Sequence, residues 1–271
     1  MINKLIINSD DLGMTPSITK GIIDGYKEGV ITSTTVLMNS PYAKESLEAV
    51  KDLNIGVGVH LNVTFLKPLT QGKSFLIDNR FKKPHEYDYI NIDAEELYEE
   101  WKAQIDAFIK MTGHKPTHLD AHHNIQDYYP DVYRRLSRKY DLPVRKLNHV
   151  INDYEPVPVI HFKDDLCHIE DFAKICESHT GTIEIMTHSG YCDDELEKLS
   201  SYSTGREEEL SFWKDPLVKE YLNNNNIELI SFKDIKISPH EDWFFTYLLL
   251  IFQQRLSKFQ LIPEDCLARW S

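Results

Sequence analysis

The sequence predicts an α/β protein built on a parallel sheet or barrel, and three observations carry that expectation. Within the first 63 residues the apolar pattern alternates strand, helix, strand, helix, strand, with short connections between them. The strands read as nearly continuous apolar runs, as strands covered on both faces do. Polar, chemistry-bearing residues sit where these runs end, the face on which parallel α/β folds assemble their sites.

The first strand, Lys4-Leu5-Ile6-Ile7, runs into Asn8-Ser9-Asp10-Asp11-Leu12-Gly13. Adjacent carboxylates at the end of a buried strand repel each other and are costly to desolvate unless a cation or a proton relieves them. The plainer alternative is Asp11 as a helix cap with Asp10 solvated, and on these residues alone both stand. Residues 17–28 place Ile18, Ile22, Ile23 and Tyr26 on one helical face, and Gly29 ends that helix. Residues 32–39 predict a buried strand, 42–53 an amphipathic helix, and 55–63 a third strand carrying His60 near its end.

Residues 64–93 break the rhythm, and a connection of that length is expected to be functional, a flap over the site presenting Tyr87 and Tyr89 to substrate. A long helix follows at 94–111, closed by Gly113, then a short strand at 117–121 entering His122-His123-Asn124. Beyond it the pattern predicts a helix at 130–140, a strand at 142–147 with Arg145, and an irregular stretch at 148–168. A helix at 169–177 precedes a strand at 182–187 that ends on His188. Residues 206–223 read as helical, re-initiated around Pro216, and 227–235 as a last strand.

The chain has 271 residues, enough for one large domain with a buried core, and its formal charge of −13 argues against nucleic acid or an anionic membrane as partner. A neutral or cationic substrate such as an amino sugar remains compatible with it. Cys167, Cys176, Cys192 and Cys266 lack metal-type spacing and read as reduced thiols, which predicts a cytoplasmic protein. The start of the chain enters a strand almost at once, with no basic segment and apolar core of a signal peptide. Residues 243–252 (WFFTYLLLIF) are strongly apolar but too few to span a bilayer. The chain therefore divides into a domain at 1–238 and an apolar extension at 239–271, which is expected to pack as a helix across a homodimer contact. Folding back onto its own domain is the alternative.

Brought together on one face, two imidazoles and one carboxylate suit a divalent cation with positions left for water and substrate. A second carboxylate could then take a proton from water, and a further histidine could protonate a leaving group. Side chains of consecutive residues on an extended strand diverge, so the adjacent aspartates can divide this labour. Taken alone, a strand-end histidine such as His60 is more often structural than a ligand. His118 reads as structural and Cys192 as a bystander. His123 faces away from His122 if the strand continues, so at most one of that pair is a ligand.

Asn8-Ser9-Asp10-Asp11-Leu12-Gly13, Gly29-Val30-Ile31-Thr32-Ser33-Thr34-Thr35, Gly58-Val59-His60-Leu61, Pro116-Thr117-His118-Leu119-Asp120-Ala121-His122-His123 and Met186-Thr187-His188, in that order over residues 1 to about 236, resemble the YdjC-like carbohydrate deacetylases, the group that contains chitooligosaccharide deacetylase. The resemblance implies a distorted (β/α) barrel related to the NodB-like polysaccharide deacetylases, and metal-dependent removal of acetyl from an N-acetylated sugar. It makes Asp11, His60 and His122 the metal ligands, Asp10 the general base and His188 the general acid, with Arg145 holding the base. It implies magnesium, although a histidine-rich ligand set suits zinc as well. Where the family usually carries further histidines, this chain has Asn124 and Gln126, so substrate contacts in that loop, Asn124 among them, are expected to differ. Two rivals stand beside this reading: a metal-dependent esterase or phosphoesterase on the same barrel, and a catalytically silent sugar-binding protein.

Truncation after Ser238 should give a monomer that still binds metal, measured by light scattering and metal content. An unchanged dimer would remove the interface reading of the extension.

Overall fold

The computed structural model describes residues 1–83, 86, 91–145 and 157–235. Tyr87, Tyr89, the end of the strand expected at 142–147 and the whole extension 239–271 lie outside the described residues. In chain order the elements are β1 (Ile2–Leu12), α1 (Pro16–Lys27), β2 (Ser33–Val36), α2 (Ala43–Val50), β3 (Gly56–Leu61), β4 (Leu76–Ile77), β5 (Arg80–Phe81), α3 (Ala94–Thr112), β6 (Leu119–Ala121), α4 (Pro130–Tyr140), β7 (Val159–His161), α5 (Ile169–Ser178), β8 (Gly181–Thr187), α6 (Asp194–Leu199), α7 (Thr204–Lys214), α8 (Pro216–Asn224) and β9 (Glu228–Leu229).

One parallel sheet runs β6-β3-β2-β1-β8-β7 and, curled with helices around it, makes the distorted α/β barrel that the family resemblance implies, on the parallel sheet that the strand pattern predicts. Strand β1 is its spine. Leu5, Ile6 and Ile7 have no exposed surface, and burial of each such side chain stabilises the fold by about 1.5–3 kcal/mol. One edge of β1 pairs with β8 along Ile2–Ser9, while the other is divided between β9 at Lys4 and Leu5 and β2 from Asn8 onward. The β1–β2 register slips between Ser9 and Leu12, and inside that bulge Asp11 takes a φ of 71°. Bulges of this kind re-aim side chains beside functional sites. Here the bulge, rather than the simple alternation of an extended strand, separates the Asp10 and Asp11 side chains.

The helices form where the pattern places them because each has an apolar face and a start signal. Thr15 caps α1, accepting from the Ile18 amide at 3.2 Å, and Pro16 sits at its first position. Asp93 caps α3, and Gly113, at φ 77°, ends it. The break before Pro216 separates α7 from α8, with Asp215 capping the second.

Three expectations change. The strand expected at 227–235 is only Glu228–Leu229, because the chain then turns into a 3-10 helix at Phe232–Asp234. Within 148–168, read as irregular, Val159–His161 pairs with β8 as an edge strand too short to show a pattern. Of the strand at 142–147, the described part makes a single bridge, Val144 to Leu119. The long connection 64–93 contains the β4–β5 hairpin, whose turn residues Asp78 and Asn79 both have positive φ, as a tight hairpin turn requires. No helix among the described residues is long and apolar enough to cross a membrane.

The loop after β8 is held between α1 and α7: the Gly190 amide donates to Arg206 O at 3.2 Å, and a Cβ on Gly21 would lie 2.6 Å from Gly190 Cα. Backbone meets backbone there, so nothing yields cheaply. Gly21→Ala should therefore destabilise the fold by about 1–3 kcal/mol, seen as a lower thermal midpoint. An unchanged midpoint would show that the loop moves aside freely.

Candidate active site

At the C-terminal ends of the strands, β1 delivers Asp10 and Asp11, β3 delivers His60, β6 ends one residue before His122, and β8 one residue before His188. Asp10, Asp11, His60 and His122 are all buried. Among the described residues Asp11 Oδ1 has no hydrogen-bond partner, and it faces His60 Nε2 at 3.4 Å and His122 Nε2 at 3.9 Å. The three donor atoms lie within 4.8 Å of one another. Ligands about 2.1 Å from a common centre are about 3.4 Å apart in tetrahedral geometry, so this donor set fits a divalent cation with little adjustment.

The surroundings orient each donor. His60 Nδ1 donates to Asp120 Oδ1 at 2.6 Å, which turns Nε2 toward Asp11. Carboxylate–histidine pairs of this kind are the usual support of metal-binding imidazoles. Thr35 Oγ1 donates to Asp120 Oδ2 at 2.9 Å and fixes that carboxylate in turn. His122 Nδ1 lies 3.0 Å from Thr64 Oγ1, leaving its Nε2 toward Asp11. Arg206 Nη2 donates to Asp11 Oδ2 at 2.8 Å and leaves Oδ1 free.

Arg145 is the hub of the buried charges. Its Nη1 and Nη2 donate to the two oxygens of Asp10 at 2.8 and 2.6 Å, its Nη2 is 3.0 Å from Asp120 Oδ2, and its Nε donates to Glu184 at 2.8 Å. Burial alone would raise Asp10, but the guanidinium outweighs it and holds the carboxyl well below the usual range. Asp11 is likewise held low against burial by Arg206.

Four buried carboxylates, Asp10, Asp11, Asp120 and Glu184, thus share two guanidiniums. Protons meet the imbalance. Burial pushes Glu184 up to about 7, and His60, which burial would lower, is driven up to about 10 by Asp120 and Asp11. A divalent cation held by Asp11, His60 and His122 would supply the charge that these protons otherwise provide. Burial, with His123 beside it, keeps His122 neutral and so ready to donate a lone pair.

His188 stands apart from the ligand set. Burial lowers it to about 4, and its buried Nδ1 has no hydrogen-bond partner among the described residues. Its backbone N–H donates to Glu209 Oε2 at 2.6 Å, and Glu209 also accepts from Thr187 and Tyr202 hydroxyls. The site opens into a cleft of 540 Å³ whose lining includes Met14, Thr64, Phe65, His122, His123 and Lys198.

The structure therefore brings together Asp10, Asp11, His60, His122 and Arg145. His118 lies elsewhere, stacked on Phe232 with ring centroids 3.8 Å apart. One expectation fails: His123 does not face away from His122. The strand stops at Ala121, His123 and Asn124 take φ of 57° and 55°, and the two imidazoles lie 3.8 Å apart. Left-handed backbone at two consecutive non-glycine residues costs about 1–2 kcal/mol each, a strain found mostly at functional sites. Asn124 is half-buried, and its Oδ1 accepts from Gln126 at 3.4 Å.

Sequence reasoning missed Arg206, Glu209, Glu184 and Thr64. Glu184 left a signal, as the lone carboxylate inside the buried run 182–187. Arg206 and Glu209 left none, since charged residues three apart on a helix are ordinary.

Comparison with known proteins places these residues in context. The family model described as YdjC-like protein matches residues 4–224. Carbohydrate deacetylase 2 of Listeria innocua serovar 6a is 39% identical over 253 residues, covering 86% of this chain and 98% of the relative. Carbohydrate deacetylase 1 of the same organism is 35% identical over 246 residues, covering 86% and 100%. A crystal structure from Enterococcus faecalis V583, of a candidate cellobiose-phosphate cleavage protein, has a TM-score of 0.78 and 32% identity, covering 86% of this chain and 98% of that one.

The two aspartates should separate under mutation. Asp11→Asn is expected to lose bound metal, and Asp10→Asn to retain it, measured as metal content of the purified variants. Equal loss of metal from both would sink the division.

Proposed function

Since the chain belongs to the family of YdjC-like proteins, we propose that it is a metal-dependent carbohydrate deacetylase, a hydrolase that removes acetyl from an N-acetylated sugar or short oligosaccharide of the chitooligosaccharide type. The observation that carries the metal dependence is Asp11 Oδ1, a buried carboxylate oxygen with no hydrogen-bond partner among the described residues, facing two imidazole nitrogens.

Asp11, His60 and His122 would hold the cation. When bound, it would acidify water and polarise the acetamide carbonyl. Asp10 is the general base. Held ionised by Arg145, it accepts the proton of the attacking water. Arg145 fixes both Asp10 oxygens, so the base approaches from one direction only. His188 protonates the departing sugar amine. Because burial keeps the ring neutral at rest, the proton it delivers is taken up during turnover. Glu209, on the His188 amide, holds that residue at the edge of the site. Thr64 and Asp120 keep the two imidazoles in the orientation that ligation needs.

The cation is magnesium in this reading, with zinc as the alternative that the imidazoles suit. The enzyme works in the cytoplasm as a homodimer, with the extension 239–271 at the contact, and 1–238 is its catalytic domain.

Purified protein stripped of metal and reloaded with magnesium or zinc should release acetate from N,N′-diacetylchitobiose, followed by a coupled acetate assay. Activity should vanish on chelation and be absent toward simple acyl and phosphate esters. Equal turnover of those esters would overturn the substrate assignment.

A further inference from the structure

We propose that His123 is a substrate-positioning residue, which presents its Nε2–H to the cleft and donates it to a hydroxyl oxygen of the bound sugar. The inference rests on the carbohydrate reading above and on the hydrogen bonds around Thr64.

His123 is exposed on the cleft wall, one residue beyond His122 and against its ring. Both imidazoles use the same hydroxyl: Thr64 Oγ1 lies 3.0 Å from His122 Nδ1 and 2.9 Å from His123 Nδ1. A hydroxyl has one proton to give and two lone pairs to accept with, so at most one of the two imidazoles receives its proton. His122 turns Nε2 toward Asp11, and as a ligand it must offer the lone pair there. Its proton is then on Nδ1, and Thr64 accepts it.

The Thr64 hydroxyl proton has two places to go. Asn62 Oδ1 is 3.4 Å away and already accepts the Thr64 and Phe65 amides at 2.9 and 3.1 Å. His123 Nδ1 is nearer and otherwise uncommitted, so it receives the proton. With Nδ1 accepting, His123 carries its own hydrogen on Nε2. Among the described residues that Nε2 has no protein hydrogen-bond partner, and the ring opens on the cleft.

The relay thus ties tautomer to function. The arrangement that frees the lone pair of one imidazole for a cation makes its neighbour a hydrogen-bond donor beside it. Left-handed backbone at His123 and Asn124 is what places the second ring alongside the first instead of across the strand. Phe65, whose ring is 5.8 Å from that of His122, supplies an apolar face at the same wall. A sugar ring packs on such a face while its hydroxyl oxygens accept from donors at the edge.

The test uses the full chain and two variants, His123→Ala and His123→Gln, the second keeping an N–H donor. Binding of N,N′-diacetylchitobiose and of its fully deacetylated product is measured by calorimetry, acetate release gives KM and kcat, and competition with a chromophoric chelator gives metal affinity. His123→Ala should weaken sugar binding and raise KM by about tenfold, the scale of one hydrogen bond, with kcat within about twofold. Metal affinity should not move, and His123→Gln should restore most of the binding.

Sugar binding unchanged in His123→Ala would overturn the proposal, and so would a parallel fall in metal affinity, which would make His123 a fourth ligand. If the wild type binds the sugars but releases no acetate, the deacetylase reading fails while the binding comparison still decides His123. A wild type that binds neither sugar overturns both.

Discussion

An excess of buried negative charge at the end of one strand is the constraint on which the rest of the site depends. Carboxylates removed from water must be paired, protonated or bound to a cation. Around β1 the fold uses the first two. Arg145 reaches Asp10, Asp120 and Glu184 with one guanidinium, and Arg206 takes one oxygen of Asp11. Two buried carboxylate oxygens are left without a hydrogen-bond partner among the described residues, Glu184 Oε2 and Asp11 Oδ1. The second faces two imidazole nitrogens, and that gives it the donor chemistry of a metal centre. Arg145 and Arg206 hold the neighbouring oxygens of Asp10 and Asp11, while His60 and Thr35 hold Asp120.

Backbone geometry delivers the same groups. The β1 bulge and the left-handed Asp11 separate two neighbouring aspartates into different hydrogen-bonding partnerships, one with Arg145 and one with Arg206. A second left-handed pair, His123 and Asn124, folds the chain back after β6 so that adjacent imidazoles share one threonine hydroxyl. Each distortion is unfavourable alone. The parallel sheet beneath supports them, since β1, β3, β6 and β8 are all paired up to the residue before, or at, the functional side chain.

The parts of the fold that were legible in the chain are those where apolar periodicity extends over two or more helical turns or a buried strand. Helix α4 begins at Pro130 and ends at Tyr140 as its pattern says, and the break between α7 and α8 falls at Pro216. Short edge elements were not legible. Val159–His161 exists as a strand because β8 offers a free edge, and three residues carry too little pattern to announce that, while of the strand expected at 227–235 only Glu228–Leu229 finds a free stretch of β1 to pair with. The orientation of His123 was misjudged for a related reason. A pleat continuing past Ala121 would turn His123 away from His122, but the chain leaves the sheet there.

Sequence alone determined the order of the longer elements, the parallel sense of the sheet and the placing of Asp10, Asp11, His60, His122 and His188 at strand ends, because these follow from local periodicity and from the rule that parallel strands end on one face. The tertiary structure decided which of those residues share a buried centre and what holds them there. Arg206 meets Asp11 across 195 residues, Arg145 meets Asp10 across 135, and Asp120 meets His60 across 60. Charge pairs over such separations leave no trace in a local pattern, since the cost of burying each partner is met only when the sheet has brought the other beside it.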